Sequence, residues 1–162
     1  MLTNKKSPYL KEATRLADVI AAIQVMGTYK FYKLDFAAWA DRICGQDTQA
    51  DHWKAVFKDH PEFFRLDQSR KKASLAWRRT RQKLYNVDTE EKITRRAFDQ
   101  LSVKERERIS RSPLSSEDIG TLLNTAVELH SRALAHQREQ RWWVTVVVTL
   151  LVAFIGYLSK GG

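Results

Sequence analysis

Glu62–Arg79 reads EFFRLDQSRKKASLAWRR. Two runs with aromatic and branched residues, Glu62–Asp67 and Ser74–Arg79, flank the polar stretch Gln68–Ala73. That pattern predicts a strand, a polar turn and a returning strand. His60-Pro61 sets its start, because the residue before a proline is pushed out of helical conformation. Upstream, Trp53, Val56 and Phe57 recur at spacings of three and one, predicting a short helix from about Gln49 to Lys58 with these on its inner face. Gln46-Asp47-Thr48 is a turn. Before it, Asp35 is placed to cap a helix carrying Phe36, Ala37, Trp39, Ala40 and Ile43, closed by Gly45. Thr28–Lys33 alternates and is aromatic, predicting a short strand. Over Pro8–Met26, Leu10, Ala13, Leu16, Ala17, Ile20 and Ile23 follow helical spacing, with Pro8 suited to the start and Gly27 to the stop.

The order is therefore helix, short strand, helix, turn, helix, then a hairpin with a basic tip. Over residues 9–85 it resembles the winged helix-turn-helix family, with FAAWADRI as the first helix of the motif, TQADHWKAVFKDH as the second and FFRLDQSRKKASLAWRR as the wing. The resemblance implies a wing tip that touches phosphates. It implies base reading, if any, from Gln49, Asp51, His52, Lys54, Ala55 and Lys58. Asp47, Asp51 and Asp59 on the same helix repel phosphate and oppose major-groove reading. Many winged helices serve as protein–protein modules.

The net charge of +9 is concentrated. Residues 1–64 carry nine Lys/Arg against eight acids, residues 65–111 fifteen against seven, and residues 112–162 four against four. From Arg70 to Lys83 there are seven basic residues and no acid. Such a patch fits nucleic acid, anionic lipid or an acidic protein partner. The candidate polyanion-binding residues are these seven: Arg70, Lys71, Lys72, Arg78, Arg79, Arg81 and Lys83.

From Asn86 the composition changes. Asp88 or Thr89 is placed to cap a polar helix with Ile93, Ala97, Phe98 and Leu101, and Ser102-Val103-Lys104-Glu105 is a capping-box pattern. The short helix that this opens runs to about Arg111, where Ser112-Pro113 breaks it. Ser115 and Asp118 then open a long helix, with Leu114 and Ile119 placed as a hydrophobic staple. Ile119, Leu122, Ala126 and Leu129 recur at heptad spacing, a seam able to pack against a second copy.

Trp142–Ser159, WWVTVVVTLLVAFIGYLS, is eighteen uncharged residues between Arg141 and Lys160. As a helix it would span roughly 27 Å, close to a bilayer's hydrocarbon thickness, with aromatic residues at both ends. Arg132, Arg138 and Arg141 before it, against Lys160 after it, put the N-terminus in the cytoplasm. The expectation is a tail-anchored, single-pass inner (plasma) membrane protein with membrane lipids as partners. Thr145, Thr149, Ala153 and Gly156 form a small-residue stripe suited to helix association, so a homo-oligomer is expected.

Composition narrows the chemistry. One cysteine excludes an intramolecular disulfide framework, and Cys44, among Trp39 and Ile43, is expected in the core. His52, His60, His130 and His136 are scattered, and no P-loop, dinucleotide fingerprint or nucleophile elbow occurs. Asp51-His52 and Asp59-His60 read as a solvated helix face. No catalytic, cofactor-binding or metal-ligating residue is expected, and the protein reads as a non-enzyme. The expected fold is mainly α with a small β-hairpin, winged-helix-like over 1–87. A basic helical connector (88–114), a juxtamembrane helix (115–141), a transmembrane helix (142–159) and a short tail (160–162) follow. The expected function is binding or sensing at the membrane. The alternative is a membrane effector, for instance of bacterial anti-phage defence, whose span oligomerises to perturb the bilayer.

Overall fold

A computed structural model describes residues 7–160, with side chains described over 7–139 and 146–152. The described chain is mainly helical with two small sheets. A 3-10 turn at Pro8–Leu10 leads to α1 (Arg15–Thr28), β1 (Lys33–Asp35), α2 (Phe36–Cys44) and α3 (Ala50–Asp59). Next come β2 (Phe64–Leu66) and β3 (Lys72–Leu75), then a 3-10 turn at Trp77–Thr80. After β4 (Tyr85–Asn86), α4 (Arg95–Gln100), α5 (Val103–Glu107) and β5 (Ile109–Ser110), the long helix α6 runs from Ser116 to Lys160.

Local chemistry explains most boundaries. The Asp35 carboxylate accepts from the Ala38 amide at 2.8 Å and so starts α2, while Gly45, at φ 73°, ends it in the left-handed conformation that glycine adopts freely. Thr94, rather than Asp88 or Thr89, caps α4 by accepting from the Ala97 amide. Ser102 and Glu105 form the reciprocal capping box of α5. Ser115 and Asp118 exchange the same pair of bonds at 3.1 Å each at the start of α6.

Three elements differ from expectation. The strand expected at Thr28–Lys33 lies later, at Lys33–Asp35, because Thr28 still belongs to α1. The strand expected over Ser74–Arg79 begins at Lys72 and gives way to a 3-10 turn at Trp77. Gly27 does not stop α1: it is buried within the last turn, where an added Cβ would meet Ile119 side-chain carbons at 3.1 and 3.2 Å. It is there because α6 crosses α1 closely at this point.

The three-stranded antiparallel sheet has the order β1-β3-β2, with Leu34 opposite Ala73 and Phe64 opposite Leu75. α1, α2 and α3 cover it. Val19, Ile23 and Met26 of α1, Trp39 of α2, Trp53, Val56 and Phe57 of α3, and Phe64 and Leu75 of the sheet form one buried cluster. Each such side chain contributes about 1.5–3 kcal/mol relative to exposure. Trp39 also donates its indole N–H to the Ala73 carbonyl at 2.9 Å, tying α2 to the middle strand. Residues 88–114 fold back, since β4 pairs with β5 and the Tyr32 amide donates to the Ser110 hydroxyl at 3.0 Å.

α6 lies along α1 with Leu122 and Ala126 buried and Ile119, Leu129 and Ala133 packed on the core. The seam expected to meet a second copy is therefore filled by this chain's own α1. Replacing Gly27 by Leu should drive α6 away from α1 and lower stability by about 1–3 kcal/mol, read from the urea midpoint. Gly120, with nothing within 4 Å of an added Cβ, supplies the contrast: Gly120→Ala should stabilise by up to about 1 kcal/mol.

The transmembrane expectation is overturned. Among the described residues, no helix is long and apolar enough to cross a membrane. Along α6, Val146, Val147, Val148, Leu150, Leu151 and Val152 are exposed. The tail anchor, the single-pass inner-membrane location and the juxtamembrane assignment of 115–141 rested on that span and fall with it. Of the small-residue stripe, Thr149 is exposed, whereas Thr145, Ala153 and Gly156 lie outside the residues with described side chains. Gly161 and Gly162 of the expected tail also lie outside the described residues.

Candidate functional site

α3 is amphipathic at helical spacing, so burying Trp53, Val56 and Phe57 turns Asp51, Lys54, Ala55 and Lys58 outward. It ends at Asp59, and the chain turns through Pro61 into β2, where alternation buries Phe64 and exposes Arg65. The β2–β3 turn is built around Asp67. One carboxylate oxygen accepts from the Lys71 and Lys72 amides at 3.0 and 3.2 Å, and the Ser69 hydroxyl donates to both oxygens. Partial desolvation pushes the Asp67 carboxyl up, but these hydrogen bonds and nearby Lys33 outweigh it, and it sits below its ordinary value. Arg70 occupies the left-handed region at φ 54° at the tip.

α3 and this turn enclose a groove of about 440 Å³. Phe57, Phe64 and Leu66 contribute its apolar lining, and Lys54, Lys58, Arg65 and Arg70 bring four cations to it against the single carboxylate of Asp67. Lys54 also lies over the Phe36 ring, 5.7 Å from its centre. The nearby acids are placed elsewhere: Asp47, in the turn before α3, and Asp51 are exposed at the N-terminal end of the helix, and Asp59 pairs with Lys11 at 2.7 Å. The helix is polarised, acidic where it begins and basic beside the turn.

The basic block from Arg70 to Lys83 does not act as one surface. Arg70, Lys71 and Lys72 are exposed on the turn. Arg79 is exposed beside Tyr32, Lys33 and Ser74. Arg81 pairs with Asp118 at 2.5 Å, so its charge is largely spent on the start of α6. Lys83 lies in a separate recess with Arg95, Phe98 and Arg111. Arg78 departs from the expected polyanion-binding set. It is fully buried and donates to the Met26, Tyr29, Lys30 and Arg111 carbonyls, so it cannot meet a polyanion.

Of the residues that the family resemblance assigned to base reading, Asp51, Lys54, Ala55 and Lys58 are exposed. Gln49 is hydrogen-bonded to Gln46, and His52 lies 3.3 Å from Asp18. The expected solvated face does not include His60, which is fully buried, with Nδ1 2.9 Å from Glu62, and Tyr9 donates to the same carboxylate oxygen at 3.0 Å. Cys44 is exposed rather than in the core, and its sulfur accepts from the Trp53 indole N–H at 3.4 Å.

Arg65 is a groove residue that charge density in the sequence does not mark, since it stands alone between Phe64 and Leu66. Strand alternation is the signal that could have found it. The nearness of His52 to Asp18 and Glu12 has no sequence signal at all. No protein-family model, no curated protein and no solved structure matches this chain.

Proposed function

We propose that this protein is a non-enzymatic nucleic-acid-binding module of winged-helix type that grips a duplex backbone between α3 and the β2–β3 turn. The observation that carries the reading is the convergence of Lys54, Lys58, Arg65 and Arg70 on one groove with Asp67 already satisfied by backbone amides. The element order and the sheet order β1-β3-β2, with the basic turn beside the second helix of the pair, support the family reading. Basic side chains of this kind position a backbone and release its counterions; they read no sequence. The exposed Asp47 and Asp51 keep the start of α3 away from phosphate, so binding tolerates many sequences.

Duplex binding followed by fluorescence anisotropy at several salt concentrations tests this. The wild-type affinity should fall steeply with salt. Replacing Lys54, Lys58, Arg65 and Arg70 together by Gln should cost at least about 100-fold and flatten the log–log salt slope by about 3–4. The pair Lys83→Gln with Arg95→Gln, in the separate recess, should change affinity by less than about threefold. Wild-type binding by the quadruple variant would reject the groove.

A further inference from the structure

The opposite end of α3 carries a different arrangement. Glu12 lies between the first 3-10 turn and α1, Asp18 in the first turn of α1, and His52 in the first turn of α3. One donor atom from each of the three lies within 4.8 Å of the others, and His52 Nε2 is 3.3 Å from Asp18 Oδ2. That separation is not met by a hydrogen bond: Asp18 Oδ2 is closed off from solvent and has no hydrogen-bond partner. A buried carboxylate oxygen without a donor is costly, so its retention asks for an explanation.

Coordination geometry supplies one. Four donors placed tetrahedrally at about 2.0–2.1 Å from an ion stand about 3.3–3.4 Å from each other, the separation seen between His52 and Asp18. The donors are also held in place. The His52 ring stands edge-on to Trp53 with centroids 5.3 Å apart, and Trp53 is buried. Glu12 is oriented by Arg15, whose guanidinium lies 2.9 Å from one of its carboxylate oxygens and is itself buried. An outer partner of this kind is what fixes a ligating carboxylate.

We propose that Glu12, Asp18 and His52 form a binding site for a divalent transition-metal ion of the Zn²⁺ class, with a fourth position open to water. One imidazole and two carboxylates suit such an ion better than Cu(I), which selects thiolates, or Ca²⁺, which requires six to eight oxygens. Asp18 and Glu12 bring negative charge to the ion, the latter shared with Arg15. The ion ties the segment before α1 to the first turn of α3, the helix that carries Lys54 and Lys58. The site stands independently of the nucleic-acid reading.

The full chain, stripped with a chelator, is titrated with Co²⁺ as a spectroscopic probe and then with Zn²⁺ in competition. One equivalent of Co²⁺ should develop the intense visible bands of four-coordinate cobalt, and Zn²⁺ should displace it. Glu12→Gln, Asp18→Asn and His52→Ala should each weaken Zn²⁺ binding by more than about tenfold, the lower bound for losing even an outer partner. His136→Ala should leave binding unchanged. Far-UV circular dichroism and melting of the metal-free variants report whether each is folded. Glu12→Gln, at an exposed position outside any helix, keeps the test decisive if the other two fail to fold. A pale six-coordinate spectrum, or wild-type Zn²⁺ affinity in folded Glu12→Gln or His52→Ala, overturns the site and leaves His52 and Asp18 as a plain ion pair.

Discussion

Replacing Arg78 by Met will cost this protein about 4 kcal/mol or more, most of the stability of a typical domain. Arg78 is fully buried beside the last turn of α1. One terminal nitrogen donates to the Met26 carbonyl at 3.0 Å and to that of Tyr29, and the other donates to Lys30 at 3.4 Å and to Arg111. The first three carbonyls belong to the C-terminus of α1 and the chain leaving it, where oxygens lack intrahelical partners and the helix dipole favours a cation, and Arg111 follows β5. Burial pushes the guanidinium down to about 10, so it stays charged at neutral pH. Met retains the length and the apolar stem but removes every donor, leaving up to four carbonyls unpaired at about 1–3 kcal/mol each. Arg78→Lys should recover only part, because one ammonium cannot span α1 and Arg111 as a planar fork does. Urea unfolding gives the number. A cost below about 1 kcal/mol for Arg78→Met would mean that the guanidinium does not brace the end of α1.

The second large effect concerns α6. Ala126 is fully buried against α1, while its neighbour Val127 is 46% exposed. Ala126→Glu places a carboxylate where no donor awaits it, at an expected cost of about 3–5 kcal/mol, with early loss of amide protection along α6 from Ser116 to about Ala133. Val127→Glu should stay within about 0.5 kcal/mol of wild type. The comparison separates two arrangements that heptad spacing alone leaves equal. A seam docked on its own α1 makes 126 and 127 differ sharply at any protein concentration. A seam that meets a second copy would make the penalty depend on concentration. Equal effects at 126 and 127 would undo the α1–α6 packing.

Several features were legible in the sequence because they are settled within four residues. Asp35 and Gly45 delimit α2, Ser102–Glu105 and Ser115–Asp118 open α5 and α6, and the Trp53-Val56-Phe57 spacing sets the inner face of α3. Capping bonds and helical faces depend on residues three or four apart, so composition at that range determines them. The turn between β2 and β3 was legible for the same reason, since Asp67 reaches amides only four and five residues on.

What joined these pieces was decided by tertiary structure. Arg78 and Arg79 are adjacent and alike in charge, yet one is buried and the other exposed. The difference lies in the carbonyls at the end of α1, about fifty residues away, which only folding brings within reach of one side of the Trp77–Thr80 turn. Arg65 joins Lys54 and Lys58 because β2 runs beside α3, and His52 meets Asp18 because α3 packs on α1. Ile119, Leu122, Ala126 and Leu129 announce a seam, but spacing says nothing of which surface fills it; the small side of Gly27 admits α6 there. An apolar periodicity records that a face will be buried, and a charge run records that charge is present. Which partner meets either is a property of the packed chain, because burial and hydrogen-bond satisfaction are shared between segments that no local pattern connects.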